Sequence, residues 1–201
     1  YEPISPLFSD FSTKYRFLYV PEGKKIGYHN EAKWDFPDGS ILVKTFAYLA
    51  NLNEPAGERR LIETRLMLKD AEGWTPHTYL WNDEQTEATR KREGARVEVS
   101  WLDALGEMRE ITYRVPNTNQ CLGCHGDTGV TEQLGPRTRQ LNKEYAYADG
   151  SENQIDKLHA LGLFDVAPPD ITERISLTSP SGDEDITWRA RSYLDANCSH
   201  C

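Results

Sequence analysis

The sequence predicts a mainly β protein, an antiparallel sandwich or curved sheet, with a smaller, loop-rich helical C-terminal part. Two observations predict it. Up to about residue 115, aromatic and β-branched segments alternate with turn signals at short intervals. After Pro116 that pattern gives way to polar loops and to apolar residues at helical spacing.

The elements follow in order. Residues 14–20 (KYRFLYV) read as a strand stopped by Pro21-Glu22-Gly23, and 25–29 as a short strand. The turn Pro37-Asp38-Gly39 leads into a long strand at 40–49 (SILVKTFAYL). After a polar loop at 51–59, the segments 60–69 (RLIETRLMLK) and 74–81 (WTPHTYLW) flank a turn at Glu72-Gly73. The charged stretch 83–93 is expected to hold a short helix. Residues 96–102 and 109–115 read as a hairpin across Ala104-Leu105-Gly106. Beyond Pro116, residues 116–150 read as loops with short helices, and 151–162 as a helix from Ser151 to a stop at Gly162. Residues 165–185 read as a linker and 186–199 as a second helix.

Composition narrows the function classes. Mean hydropathy is −0.68, and no stretch approaches the ~18 apolar residues of a membrane span, so no transmembrane segment is expected. A net charge of −9 without a basic stripe argues against a nucleic-acid partner. The chain opens Tyr1-Glu2-Pro3 without Met, as a recombinant fragment or a mature exported chain would. All four cysteines fall into two C-x-x-C pairs, Cys121/Cys124 and Cys198/Cys201.

The first pair is followed at once by His125, giving Cys121-Leu122-Gly123-Cys124-His125. Two thiols about one helical turn apart reach the two vinyl groups on one edge of a haem, and the histidine then comes under the iron as an axial ligand. Cys121 and Cys124 are therefore the expected thioether attachments of a haem c, and His125 its axial ligand. Zinc binding and a redox or plain disulfide are the competing readings of C-x-x-C. A four-cysteine zinc site would have to join two pairs far apart in sequence, and a thioredoxin-like pair needs a βαβ context that the pattern lacks. The second pair, Cys198-Ser199-His200-Cys201, reads as a second haem motif cut before its ligand. On this basis the chain divides into a β-sandwich-like domain at 1–118, a first haem-binding segment with short helices and linker at 119–185, and the start of a truncated second cytochrome c segment at 186–201.

Several stretches carry a family resemblance: 7–29 (LFSDFSTKYRFLYVPEGKKIGYH), 36–46 (FPDGSILVKTF), 62–74 (IETRLMLKDAEGW), 79–88 (YLWNDEQTEA), 115–125 (VPNTNQCLGCH), 134–142 (LGPRTRQLN) and 189–201 (RARSYLDANCSHC). In order and spacing the chain resembles a family of bacterial dihaem c-type cytochromes. The resemblance implies an exported, periplasmic protein with two haem c sites. The β-region also resembles the β-sheet cytochromes, of the lysine-cross-linked and c-prime-beta types, which implies a sandwich enclosing the haem. Lys44 then matches the cross-linking lysine. Alternation places Leu42, Lys44, Phe46 and Tyr48 on one strand face, so Lys44 is a candidate haem-pocket residue, against the alternative of a rim lysine reaching to water.

Candidates for a sixth iron ligand are His77 and His29, with His159, Met67 and Met108 behind them. Arg137 and Arg139 are candidate contacts for haem propionates. The leading functional expectation is electron transfer in the bacterial cell envelope, with redox proteins as partners. A homo-oligomer is also considered, since another chain could complete the truncated site. The alternatives are a haem enzyme or small-ligand (NO/CO-type) binding protein with an open iron, and a zinc- or disulfide-stabilised binding module.

Overall fold

A computed structural model describes residues 1–127 and 130–199. The chain is mainly β, built from antiparallel sheets. The strands β1 (Thr13–Tyr19), β2 (Ile41–Leu49), β3 (Arg59–Asp70), β4 (Gly73–Trp81) and β5 (Ala88–Arg90) form one open sheet in sequential order. A separate hairpin, β6 (Ala95–Leu102) and β7 (Met108–Val115), packs over one end of it. Then come α1 (Thr118–His125), the short pair β8 (Gly126–Asp127) and β9 (Val130–Thr131), and α2 (Thr138–Leu141). The hairpin β10 (Glu144–Tyr147) and β11 (Gly150–Asn153), α3 (Gln154–Ala160) and α4 (Ile186–Asn197) complete the order.

Strand alternation decides which residues each face of the large sheet carries. On one face, two apolar cores lie at opposite ends. At the first end, Leu42, Met67 and Trp74 pack with Ile26, Tyr28, Trp34, Phe36, Leu141, Ile155, Leu158 and Phe164. At the other, Phe46, Tyr48 and Ile62 pack with Val99, Trp101, Tyr113 and Val115 of the β6–β7 hairpin. The register shifts between Phe46 and Ala47, and this irregularity turns both Ile62 and Glu63 inward, so that neighbouring residues are both buried.

Two expectations are revised. Residues 83–93 contain no helix: Asn82 accepts from the Thr86 and Glu87 amides, closing a turn with Gln85 at φ +58°, and β5 follows. Residues 144–153 form a hairpin where a loop to 150 and a helix from Ser151 were expected, and the helix begins at Gln154. Leu141, Ile155, Leu158 and Phe164 share one core with Leu42, Met67 and Trp74 of the large sheet. The 165–185 stretch is irregular but tied down. Arg174, nearly buried, pairs with Asp156 at 2.6 Å, and the Leu177 amide donates to the Arg139 carbonyl.

Candidate cofactor-attachment site

The Cys121–His125 pentapeptide is held by its flanks. Asn117 caps α1, accepting from the Gln120 amide at 2.9 Å, while the Gln120 side chain accepts from the Asn117 amide at 3.0 Å. This reciprocal box satisfies two otherwise orphaned donors. The Thr118 amide donates to the Arg92 carbonyl at 3.0 Å, fastening the helix start to the β5–β6 connection. Asn117→Ala is expected to cost about 1 kcal/mol, read as a lowered denaturant midpoint with an unchanged slope.

At the other end of α1 the chain reverses. A Cβ on Gly126 would lie 2.8 Å from the Leu122 carbonyl oxygen, so a side chain there would force the helix end to shift. The β8–β9 pair then returns Glu132 to His125. The Glu132 amide donates to the His125 carbonyl at 2.6 Å, and His125 Nδ1 sits 2.9 Å from the Glu132 carbonyl oxygen. A carbonyl can only accept, so Nδ1 carries a proton in this contact, and in the neutral imidazole the lone pair is then on Nε2. That is the tautomer a metal-binding histidine needs.

Cys121 is half-buried, and its thiol is unbridged. It lies against Thr78, Arg65 and Glu63 of the large sheet; burial pushes the thiol up, with Arg65 opposing. A thiol biased toward its protonated form is poorly suited to disulfide exchange. Among the described residues no group of three or more His, Cys, Asp or Glu is gathered to hold a metal. Cys124 is exposed.

Beside Cys121 runs a polar row across the sheet. Arg16 pairs with Lys44, Lys44 with Arg65, and Arg65 with Thr78, so the four side chains share one face. Lys14 lies one pleat further along β1, on the same face. This row lies between the two apolar cores. Lys44 sits 4.8 Å from the Phe46 ring centroid, and Arg65 covers the same ring at 4.3 Å. Arg65 grips the fully buried Glu63 through two bonds of 2.8 and 2.5 Å, and the Tyr113 hydroxyl donates to the same carboxylate at 2.7 Å.

The structure separates the other candidates. His77 pairs with Leu66 and therefore lies on the opposite face of the sheet from Lys44 and Arg65. Its Nδ1 accepts from Arg90 at 2.6 Å, and burial together with Arg90 and Arg92 holds its pKa down. His77 is not brought toward Cys121. His29 bonds Asp35 at 2.8 Å, and its loop abuts the strand after His125 through Lys33–Glu132 and Gln133–Trp34. Met67 is core, Met108 is exposed, and His159 is exposed in the last turn of α3.

In sequence, Arg137 and Arg139 lie between the two cysteine pairs. Arg137 feels Glu132, which contacts His125, and Arg139 pairs with Asp195 of α4 at 2.9 Å. The Nε atoms of both are buried without a hydrogen-bond partner among the described residues. α4 is fastened by its polar side: the Ser5 hydroxyl donates to the Ser192 carbonyl, and the Thr178 amide to the Ser192 hydroxyl. Its Ile186, Trp188 and Leu194 are exposed. Cys198 follows α4 and is exposed, whereas His200 and Cys201 lie outside the described residues.

Sequence reasoning singled out the pentapeptide and Lys44, and placed Glu63 and Arg65 on one strand face, but did not group them with Lys14, Arg16 and Lys44. A comparison with known protein families, with curated proteins and with solved structures finds no match to this chain.

Proposed function

We propose that this chain is a c-type cytochrome of the bacterial cell envelope, with haem attached through Cys121 and Cys124 and iron bound by His125 Nε2. The observation that carries the reading is the contact between His125 Nδ1 and the Glu132 carbonyl. The Nδ1 proton is committed to the Glu132 carbonyl directly after a capped C-x-x-C helix. Two further features support it. Cys121 is packed against the sheet beside Arg65, and the cationic row next to it suits the carboxylates of a haem. A bound haem would supply one-electron redox chemistry at its iron.

The chain's own residues do the rest. α1 sets the thiol spacing, Glu132 fixes the imidazole tautomer, and the two cores hold the sheet that backs the site. Cys198 and Cys201 are proposed as half of a second attachment site, with redox proteins as partners and a periplasmic or otherwise exported location. No helix among the described residues is long and apolar enough to cross a membrane.

A second reading, small-ligand binding at an open iron, is favoured by one observation. Of the two leading sixth-ligand candidates, His77 faces away and His29 is engaged with Asp35. Reductive titration with and without carbon monoxide separates the two readings. Electron transfer predicts reversible one-electron reduction and an unchanged spectrum with the gas; a spectral change assigns the chain to the ligand-binding class. A chain with no reducible chromophore contradicts both.

A further inference from the structure

We infer that the gap between the two cores is an oxyanion-binding site, formed by Lys14, Arg16, Lys44 and Arg65. The charges on this face do not balance. Four basic side chains converge there, and one buried carboxylate, Glu63, faces them. Glu63 is committed to Arg65 and to the Tyr113 hydroxyl. Among the described residues Lys44 has neither a hydrogen-bond nor an ion-pair partner, only the Phe46 ring. Lys14 Nζ bonds the Ser12 carbonyl, and an Arg16 nitrogen the Lys14 carbonyl, so neither gains a carboxylate.

A cationic group withdrawn from water without a counter-charge is costly, and several together are more so. The cost is visible in the groups themselves. Burial, then Arg16, Arg65 and Lys14, hold the Lys44 amine well below its ordinary range, with Glu63 opposing. Burial and the same arginines bring Lys14 down to about 8, with Asp10 opposing, and burial also lowers Arg16, with Tyr1 and Glu2 opposing. A bound anion supplies the missing charge and matches guanidinium geometry. Its binding draws protons onto the two lysines, because each amine is easier to protonate once the anion is present. Two sources present this chemistry: a small free oxyanion, or a carboxylate of the haem proposed at Cys121. Only the second rests on the proposed function.

The test uses sodium sulfate as probe, titrated calorimetrically at pH 8 and low ionic strength in two buffers of different ionisation enthalpy. The chain is assayed as purified, with its haem content known from its mass. If the free anion is the occupant, sulfate binds with proton uptake. Lys44→Met then weakens it about tenfold or more, Lys44→Arg retains it, and Lys25→Met at an exposed site leaves it unchanged. If a haem carboxylate is the occupant, sulfate does not bind to the haem-loaded chain. In that case Lys44→Met lowers the melting temperature more than Lys25→Met, and Lys44→Arg restores it. Two results overturn the inference: sulfate binding indifferent to Lys44→Met, or no sulfate binding combined with a Lys44→Met chain at least as stable as the parent. Sulfate binding to a chain whose mass shows no haem supports the inference without the proposed function, so the two proposals fail separately.

Discussion

Glu63→Ala is expected to destabilise the folded chain by about 3–5 kcal/mol, the range for removing one partner of a buried ion pair. Glu63 is fully buried and accepts three hydrogen bonds, two from Arg65 and one from the Tyr113 hydroxyl. It therefore ties β3 of the large sheet to β7 of the hairpin. Its loss leaves Arg65 facing Lys14, Arg16 and Lys44 with no carboxylate between them. For a chain of this length the melting temperature should fall by about 10 °C or more. The double variant Glu63→Ala/Arg65→Ala should be more stable than Glu63→Ala alone, because the uncompensated charge has gone too. A loss below about 1 kcal/mol, or a double variant worse than the single, would show that this pair does not stabilise the sheet–hairpin junction.

If haem is attached as proposed, His125→Ala has the second large effect, and it falls on the cofactor rather than on the fold. The thioether attachments to Cys121 and Cys124 do not involve the imidazole, so the mass of attached haem should persist. The axial ligand is lost, so the absorption spectrum and the reduction potential should both change, and added imidazole should restore the parent spectrum. A spectrum identical to that of the parent would remove His125 from the iron. The Glu132 contact is through the backbone carbonyl, so Glu132→Ala should leave the spectrum intact.

How much of this was legible in the sequence depends on the range of the interactions. The strands of the large sheet were readable because period-two alternation is local: Leu42, Lys44 and Phe46 fall on one face in the sequence and in the structure. The pentapeptide was readable for the same reason, since thiol spacing and the adjacent histidine are contained in five consecutive residues. The stretch 83–93 misled because its charges suit a helix surface, while the structure is set by Asn82 and Gln85 side chains folding back on the backbone. The β10–β11 hairpin carried an available signal, Tyr145 and Tyr147 alternating ahead of Asp149-Gly150. The cationic row carried no local signal. Arg16, Lys44 and Arg65 come from three strands, and only the register makes them neighbours. The same is true of His77, whose place on the opposite side of the sheet from Lys44 and Arg65 is set by its pairing with Leu66.

The central claim is covalent haem at the pentapeptide, and the most direct measurement is the intact mass of the denatured chain, produced in a host that matures c-type cytochromes. The account predicts a haem-sized addition that survives denaturation, gives a pyridine haemochrome spectrum, and maps to the peptide containing Cys121 and Cys124. Cys121→Ser/Cys124→Ser should abolish it at that peptide. An unmodified mass with bare thiols, an internal bridge at that peptide, or a zinc ion retained under native conditions would contradict the account.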